Sequence, residues 1–342
     1  MKKSILRISV FFIILILVLS GVNHILEFKH SDGIAQMTQF YQQDRNTVDV
    51  LILGSSHSFV NFNNATLWED CGISSYNLGG SSQPLWITYH MLLEALKTQS
   101  PELIILEGYG TVFEFEFDSE IKVIKNLHSM KWSPNKVSAL LASTSLGKLG
   151  SVILDYRQYH ARYGILEKAD FTKDYENQTP DFNWFDDDWK GQYLFNTSNP
   201  MEFMDVNSVD TPIDLHAKSE DYYRKILALA QEKNIPIVVV TAPYQINEFE
   251  QGRLLRAAQI AAEYGVTFLN GNSLLSEIGL DLETDYHDDC HMTAKGSVKF
   301  TRYIEKELLS QFRLSNHKSD PTYSSWERHA AFMNSFLEQV VE

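Results

Sequence analysis

The sequence predicts an α/β protein whose parallel sheet carries helices on both faces. Three observations carry this prediction. Short apolar runs recur along the chain: "VDVLILG" (48–54), "PELIILEGYG" (101–110), "IPIVVVTAPY" (235–244) and "VTFLNG" (266–271), with a shorter run, "SSYNLGG" (74–80), ending at glycine. Strands buried on both faces read this way, as continuous rather than alternating runs. Segments of helical period separate them, the signature of strand–helix alternation. Finally, 342 residues at 44% hydrophobic and 12% aromatic composition suffice for a substantial core.

The elements follow in order. "MKKSILRISVFFIILILVLSGV" opens with Lys2, Lys3 and Arg7 and continues through Ile8–Val22 without a charge. Extended to Leu26, it approaches the ~20 residues that span a bilayer. The basic side chains precede the apolar run, so the remainder is expected outside the membrane. Ser20-Gly21-Val22 is a poor small-x-small cleavage site, which favours a retained anchor over 1–26 rather than a cleaved signal. Residues 27–47 read as a linker, with a short helix at "IAQMTQFYQQ" leading away from the membrane. A domain over 48–311 follows. Within it, Pro84 starts a helix over 84–99, and further helices are expected at 219–234, 250–265 and through most of 285–312. Residues 112–215 break the rhythm with Asp, Asn, Trp and Tyr, and read as an inserted cap with helical pieces around 135–160. A tail over 312–342 ends in an amphipathic helix, "SSWERHAAFMNSFLEQVV".

Net charge is −15, and none of the 44 acidic side chains lies in the first 22 residues. A surface this acidic argues against nucleic acid as a partner, because phosphate recognition needs clustered Lys and Arg. Two cysteines, Cys71 and Cys290, leave a disulfide permitted outside the cytoplasm but unassigned.

Ligands of open parallel sheets bind at the C-terminal ends of strands. The unusual clusters of this chain fall there: Gly54-Ser55-Ser56-His57, then Asn77 to Gln83, Glu107-Gly108-Tyr109, Ala242-Pro243-Tyr244, and Asp285 to His291. A serine nucleophile needs a base, an orienter for that base and donors for the oxyanion. Ser56 at a helix start can aim its own N–H at the oxyanion. His291 is the candidate base, and Asp288, three positions earlier, the candidate orienter. Ser55 and Ser58 are local rivals, with helix capping as their ordinary role.

Gly-x-Ser-x after the first strand, Asn-x-Gly after the second and Asp-x-x-His near the C-terminus resemble the SGNH (GDSL-type) hydrolase superfamily. The resemblance covers roughly residues 46–110 and 218–310. Within it the chain looks like the membrane-anchored bacterial branch that includes D-alanyl-teichoic-acid transfer and alginate O-acetylation proteins. The resemblance implies a flavodoxin-like three-layer α/β/α fold with a five-stranded parallel sheet, and no cofactor. It implies Ser56 as nucleophile, His291 as base and Asp288 as its orienter. It also implies O-acyl transfer, acetyl or D-alanyl, onto a cell-envelope polysaccharide or teichoic acid beside a membrane-bound O-acyltransferase. A stand-alone carbohydrate esterase and a non-catalytic scaffold are the alternatives. The family's second-block glycine donor has Ser82 in its place, so the oxyanion donors are sought among Ser56, Gly79, Gly80 and Ser82. The third-block asparagine is absent where Glu107-Gly108-Tyr109 stands, and Gln83 and Tyr109 are possible substitutes. His57, Asn77, Glu107 and Tyr244 complete the pocket candidates.

Two further readings remain open. Asp285, His287, Asp288, Asp289, Cys290 and His291 have metal-ligating side chains, but no second cluster of matching spacing accompanies them, and no metal is expected. Tyr76, Trp86, Tyr89, Trp184, Phe185, Trp189 and Tyr193 form either a sugar-stacking surface or core.

Overall fold

Five strands, β1 (Val50–Gly54), β2 (Ser75–Gly79), β3 (Leu103–Glu107), β4 (Ile237–Thr241) and β5 (Phe268–Asn270), form one sheet of order β2-β1-β3-β4-β5. All pairings are parallel, with Ile52 opposite both Asn77 and Ile105, Leu106 opposite Val239, and Val240 opposite Leu269. The structure is a computed structural model and describes residues 2–26, 32–153, 163–164, 166, 171 and 189–341. The expected fold class is therefore observed: a parallel sheet in three α/β/α layers. Residues 27–31 of the expected 27–47 linker and part of the 112–215 insertion lie outside the described residues.

The described helices are α1 (Lys2–Leu26), α2 (Ile34–Phe40), α3 (Ser56–Asn61), α4 (Asn64–Cys71), α5 (Leu85–Ala95), α6 (Glu120–Leu127), α7 (Pro134–Ser143), α8 (Leu149–Ile153), α9 (Ala217–Glu232), α10 (Glu248–Glu263), α11 (Leu275–Ile278), α12 (Ala294–Gln311) and α13 (Ser324–Val341). Alternation along the strands divides the core. Leu51, Leu53, Leu78, Ile104, Leu106 and Val239 join the cluster built with α2, α5, α9 and α13. Val50, Ile52, Leu103, Ile105, Val238 and Val240 join the opposite cluster, with Phe300, Ile304 and Leu308 of α12. Each such aliphatic side chain taken from water contributes roughly 1.5–3 kcal/mol.

Two segments differ from their expected roles. The helix expected in the linker forms over Ile34–Phe40 but packs into the core, with Met37 and Phe40 fully buried. The tail helix α13 also belongs to the domain. Trp326 is buried and its Nε1–H donates to the Ser75 carbonyl of β2 at 3.0 Å. Lys190 Nζ donates to Gln43 Oε1 at 2.9 Å and Ser325 Oγ at 2.8 Å, and stands 4.1 Å from the Trp326 ring. One buried ammonium thus joins the segment after α2, the 112–215 insertion at Lys190, and α13. The apolar faces of both helices cover the β2 end of the sheet, where a linker and a loose tail would leave it exposed.

Helix α1 is 25 residues long, about 37 Å at 1.5 Å per residue, against a hydrocarbon core of ~30 Å. Its apolar side chains from Ile5 to Val18 are largely exposed. By length and composition it can cross a membrane, as an anchor or a signal sequence does.

Candidate active site

Strand β1 ends at Gly54, where a Cβ would come within 2.6 Å of Glu107 Cβ. The chain then turns into α3 with Ser55 as N-cap, its hydroxyl accepting from His57 N–H. Ser56 is the first residue of the helix. As a first-turn residue, its N–H has no carbonyl one turn earlier to bond.

His291 comes from the loop before α12. Its Nε2 lies 2.8 Å from Ser56 Oγ. Its Nδ1 lies 3.0 and 2.9 Å from the two Asp288 oxygens. Asp288 Oδ1 also accepts the backbone N–H groups of Cys290 at 3.0 Å and His291 at 2.8 Å. Burial opposes the charge on Asp288, but bonds from the His291 ring and these N–H groups outweigh it and hold the carboxyl well below its usual range. Asp288 does not cap α12; Thr293 does, which leaves the carboxylate to the imidazole. The geometry is that of a hydroxyl, a base within hydrogen-bond reach and an ionised group orienting the base.

Asn61, at the far end of α3, clamps this loop. Fully buried, it accepts Met292 N–H at 2.8 Å and donates to the Cys290 carbonyl at 3.2 Å. The helix that presents Ser56 therefore also brackets the backbone of His291. Sequence reading missed Asn61, because its role needs two segments over 200 positions apart. Asn61→Ala is expected to cost about 1–3 kcal/mol by leaving that backbone donor unmatched, read as a lower denaturant midpoint.

A pocket of about 230 Å³ opens at Ser56 and His291, lined also by Asp32, Phe59, Ser81, Tyr193 and Phe195. A larger hollow of about 710 Å³ lies beside Asn247–Phe249, away from the Ser56–His291 pair. Residues 193–195, within the 112–215 insertion, wall the pocket: Tyr193 N–H donates to the Phe59 carbonyl, and Ala294 N–H to the Phe195 carbonyl, both at 2.8 Å. Phe195 stacks on His287 at 3.8 Å.

Of the expected oxyanion residues, Ser56 lines this pocket. Ser81, rather than Gly79, Gly80 or Ser82, lines the pocket, and its N–H already donates to Asp32 Oδ2 at 2.8 Å. Asp32 is paired with Lys125 at 3.0 Å. Gly79 serves close packing: a Cβ there would lie 2.3 Å from Ser58 Oγ. Gly80 presses against Asn126 in the same way, and Ser82 occupies a turn with φ 53°. Asp32, Phe59 and Phe195 carried no sequence signal, since only folding brings them to Ser56.

The other pocket candidates are not among the residues that line this pocket. Asn77 donates to the Phe62 carbonyl and Gln83 to Thr88 Oγ1, and both are buried. Glu107 is buried beneath Ser55, accepting Tyr109 N–H at 2.9 Å and Ser55 Oγ–H at 3.3 Å. His57 is also fully buried, stacked on Tyr109 at 4.0 Å with the Tyr244 ring at 5.3 Å. Neither His57 ring nitrogen has a hydrogen-bond partner among the described residues. Its Nδ1 approaches Glu107 Oε1 at 3.7 Å, too far for a hydrogen bond. This contact is not an ion pair. Burial pushes the Glu107 carboxyl up to about 8 and the His57 imidazole well below its usual value, so both are neutral at pH 7.

The two groups act oppositely on stability. Unfolded, Glu107 ionises near 4.5, but folded near 8. The folded state holds the extra proton in between, so stability falls as pH rises through that window and levels off above it. His57 stays neutral when folded, so its contribution is lost as pH drops below about 6.5. Glu107→Gln is expected to flatten the alkaline fall in urea midpoint between about 4.5 and 8, leaving the acid side unchanged.

Of the metal-ligating types, Asp288, Cys290 and His291 converge among the described residues. Asp285 is instead buried against Lys299 at 2.5 Å, and His287 is taken by Thr197 and Phe195. Both cysteines are free. Burial, with Asp288 and Asp289 nearby, raises the Cys290 thiol, which opposes the thiolate a nucleophile requires. Among the aromatics, Tyr76, Trp86 and Trp189 are core, Tyr89 packs on Tyr222, and Tyr193 alone reaches the pocket. Trp184 and Phe185 lie outside the described residues. No family model and no curated protein matches this chain.

Proposed function

We propose that this protein is a membrane-anchored serine acyl-ester enzyme of SGNH type, held outside the membrane by α1. The observation that supports it is the continuous path Ser56 Oγ–His291 Nε2 at 2.8 Å and His291 Nδ1–Asp288 Oδ2 at 2.9 Å, opening on a pocket. Ser56 Oγ attacks an acyl carbonyl while His291 takes the hydroxyl proton. Asp288 holds the imidazole tautomer and stabilises the imidazolium. Collapse of the tetrahedral intermediate expels the donor's alcohol, which takes that proton back from His291. The acyl group then passes to an acceptor hydroxyl by the reverse steps.

The acceptor proposed is a hydroxyl of a cell-envelope glycan or teichoic acid, with a membrane-bound O-acyltransferase supplying the donor. Tyr193 and Phe195 offer a face for a sugar ring. The family's third-block asparagine donor is absent where Glu107-Gly108-Tyr109 stands, and a missing donor costs ~2.7–4 kcal/mol of transition-state stabilisation. Slow turnover of simple esters is the consequence. The test is a chromogenic acetyl ester with and without a glycan acceptor, together with a serine-directed fluorophosphonate. Acceptor-dependent turnover supports transfer, whereas free acid without acceptor points to an esterase. Absence of both turnover and Ser56 labelling defeats the reading.

A further inference from the structure

We propose that the helical layer at residues 119–153 is a membrane-docking face that seats the domain on an anionic lipid surface beside the end of α1. It rests on α1 being the anchor but not on the acyl chemistry.

The layer is apolar where a soluble surface would be polar. Trp132 is 64% exposed, Leu146 79%, Leu141 47% and Val137 46%. On α7, Val137 and Leu141 are one turn apart and point outward, while Ala139, Leu140 and Ser143 of the same helix are buried. The helix thus has a buried face and a second, uncovered apolar face.

Charge selects the occupant. In a chain of net charge −15, residues 119–153 carry five lysines against a single acid, Glu120. Lys125 pairs with Asp32, Lys148 pairs with Glu120, and Lys136 is buried with its Nζ on the His128 carbonyl, so the exposed Lys131 and the half-buried Lys122 carry the charge of this face. An exposed tryptophan and aliphatic side chains among lysines suit the headgroup level of an anionic bilayer. Lys136 Nζ stands 4.6 Å from the Trp132 ring, and Lys131 is exposed beside it.

Height gives the third argument. The apolar run of α1 is interrupted by the polar Asn23 and His24 near its C-terminal end, so this end of the span is placed at the headgroups. Asn23 shares a pocket of about 470 Å³ with Ile124, Leu127, Lys131, Trp132 and Leu140, and Leu26 packs against the main core. The docking face therefore stands at the level where the span leaves the bilayer. It is also one helix from the candidate active site: Lys125 pairs with Asp32, and Asn126 Nδ2 donates to the Ser81 carbonyl at 3.2 Å. Docking would fix the Ser56 pocket close to the membrane surface.

The test uses the full chain in nanodiscs of phosphatidylcholine and phosphatidylglycerol with brominated acyl chains, which quench tryptophan emission at short range. Helix α1 contains no tryptophan, so quenching reports on the domain. Wild type is expected to be quenched, and Trp132→Phe to lose at least about half of that quenching. Lys131→Gln is expected to weaken docking roughly fivefold, the effect of one lysine at an anionic surface, and removal of phosphatidylglycerol to weaken it further. Leu141→Ser with Leu146→Ser is expected to reduce quenching while leaving the thermal midpoint unchanged, since both side chains are exposed. A chain that fails to co-purify with the discs overturns the anchor and the docking together. A chain that co-purifies but is unquenched, or is quenched equally in Trp132→Phe, overturns the docking alone and leaves the face to a protein partner.

Discussion

Alanine at Ser56 is expected to lower turnover of an activated acetyl ester by at least about 10³-fold and to abolish fluorophosphonate labelling, with the fold intact. The hydroxyl sits at the first turn of α3 with its Oγ 2.8 Å from His291 Nε2, and no neighbour can replace it there. Ser55 Oγ is committed to Glu107, and Ser58 Oγ donates to the Ser55 carbonyl at 2.7 Å. His291→Ala should match the loss, and the double variant should be no worse than either single one, because the two groups act in one proton transfer. Asp288→Asn should retain the geometry but favour the wrong imidazole tautomer, with a loss on the order of 10⁴. Steady-state kinetics on the three single variants and the double variant decides the matter. Additive losses, or labelling that moves to Ser55, would count against one shared path.

Trp326→Ala is expected to destabilise the folded domain by about 3–5 kcal/mol, through the cavity left by the largest side chain of α13. Two partners lose their counterpart at once: the Ser75 carbonyl of β2 and the ammonium of Lys190. Urea unfolding followed by circular dichroism reads the effect. Trp326→Phe should recover much of the volume but not the hydrogen bond, and so fall between. A wild-type midpoint for Trp326→Ala would mean that α13 is a detachable tail.

The sheet was legible because its strands are apolar on both faces, a pattern that depends only on local sequence. Ser56, Asp288 and His291 were legible because the chemistry restricts residue type and because strand ends are where parallel sheets expose loops. The burial of α2 and α13 was not legible. An amphipathic helix declares that one face will be covered but not by what, and the β2 end supplies the cover only after the sheet has formed. The surroundings of the expected oxyanion donors were not legible for a related reason. Gly79 and Gly80 suggested open backbone donors, yet their lack of a Cβ is needed for contact with Ser58 and Asn126, while Ser81 faces the pocket with its N–H already held by Asp32.

By itself the sequence determined the strand–helix alternation, the apolar N-terminal helix, and which side chains are chemically able to serve as nucleophile, base and orienter. Only the tertiary structure decided their distances, the Asn61 clamp, the neutral burial of His57 and Glu107, and the closeness of residues 119–153 to the end of α1. The physical reason is range. Periodicity and side-chain chemistry are properties of neighbouring positions, whereas desolvation and contact across more than 200 residues exist only once the chain has packed.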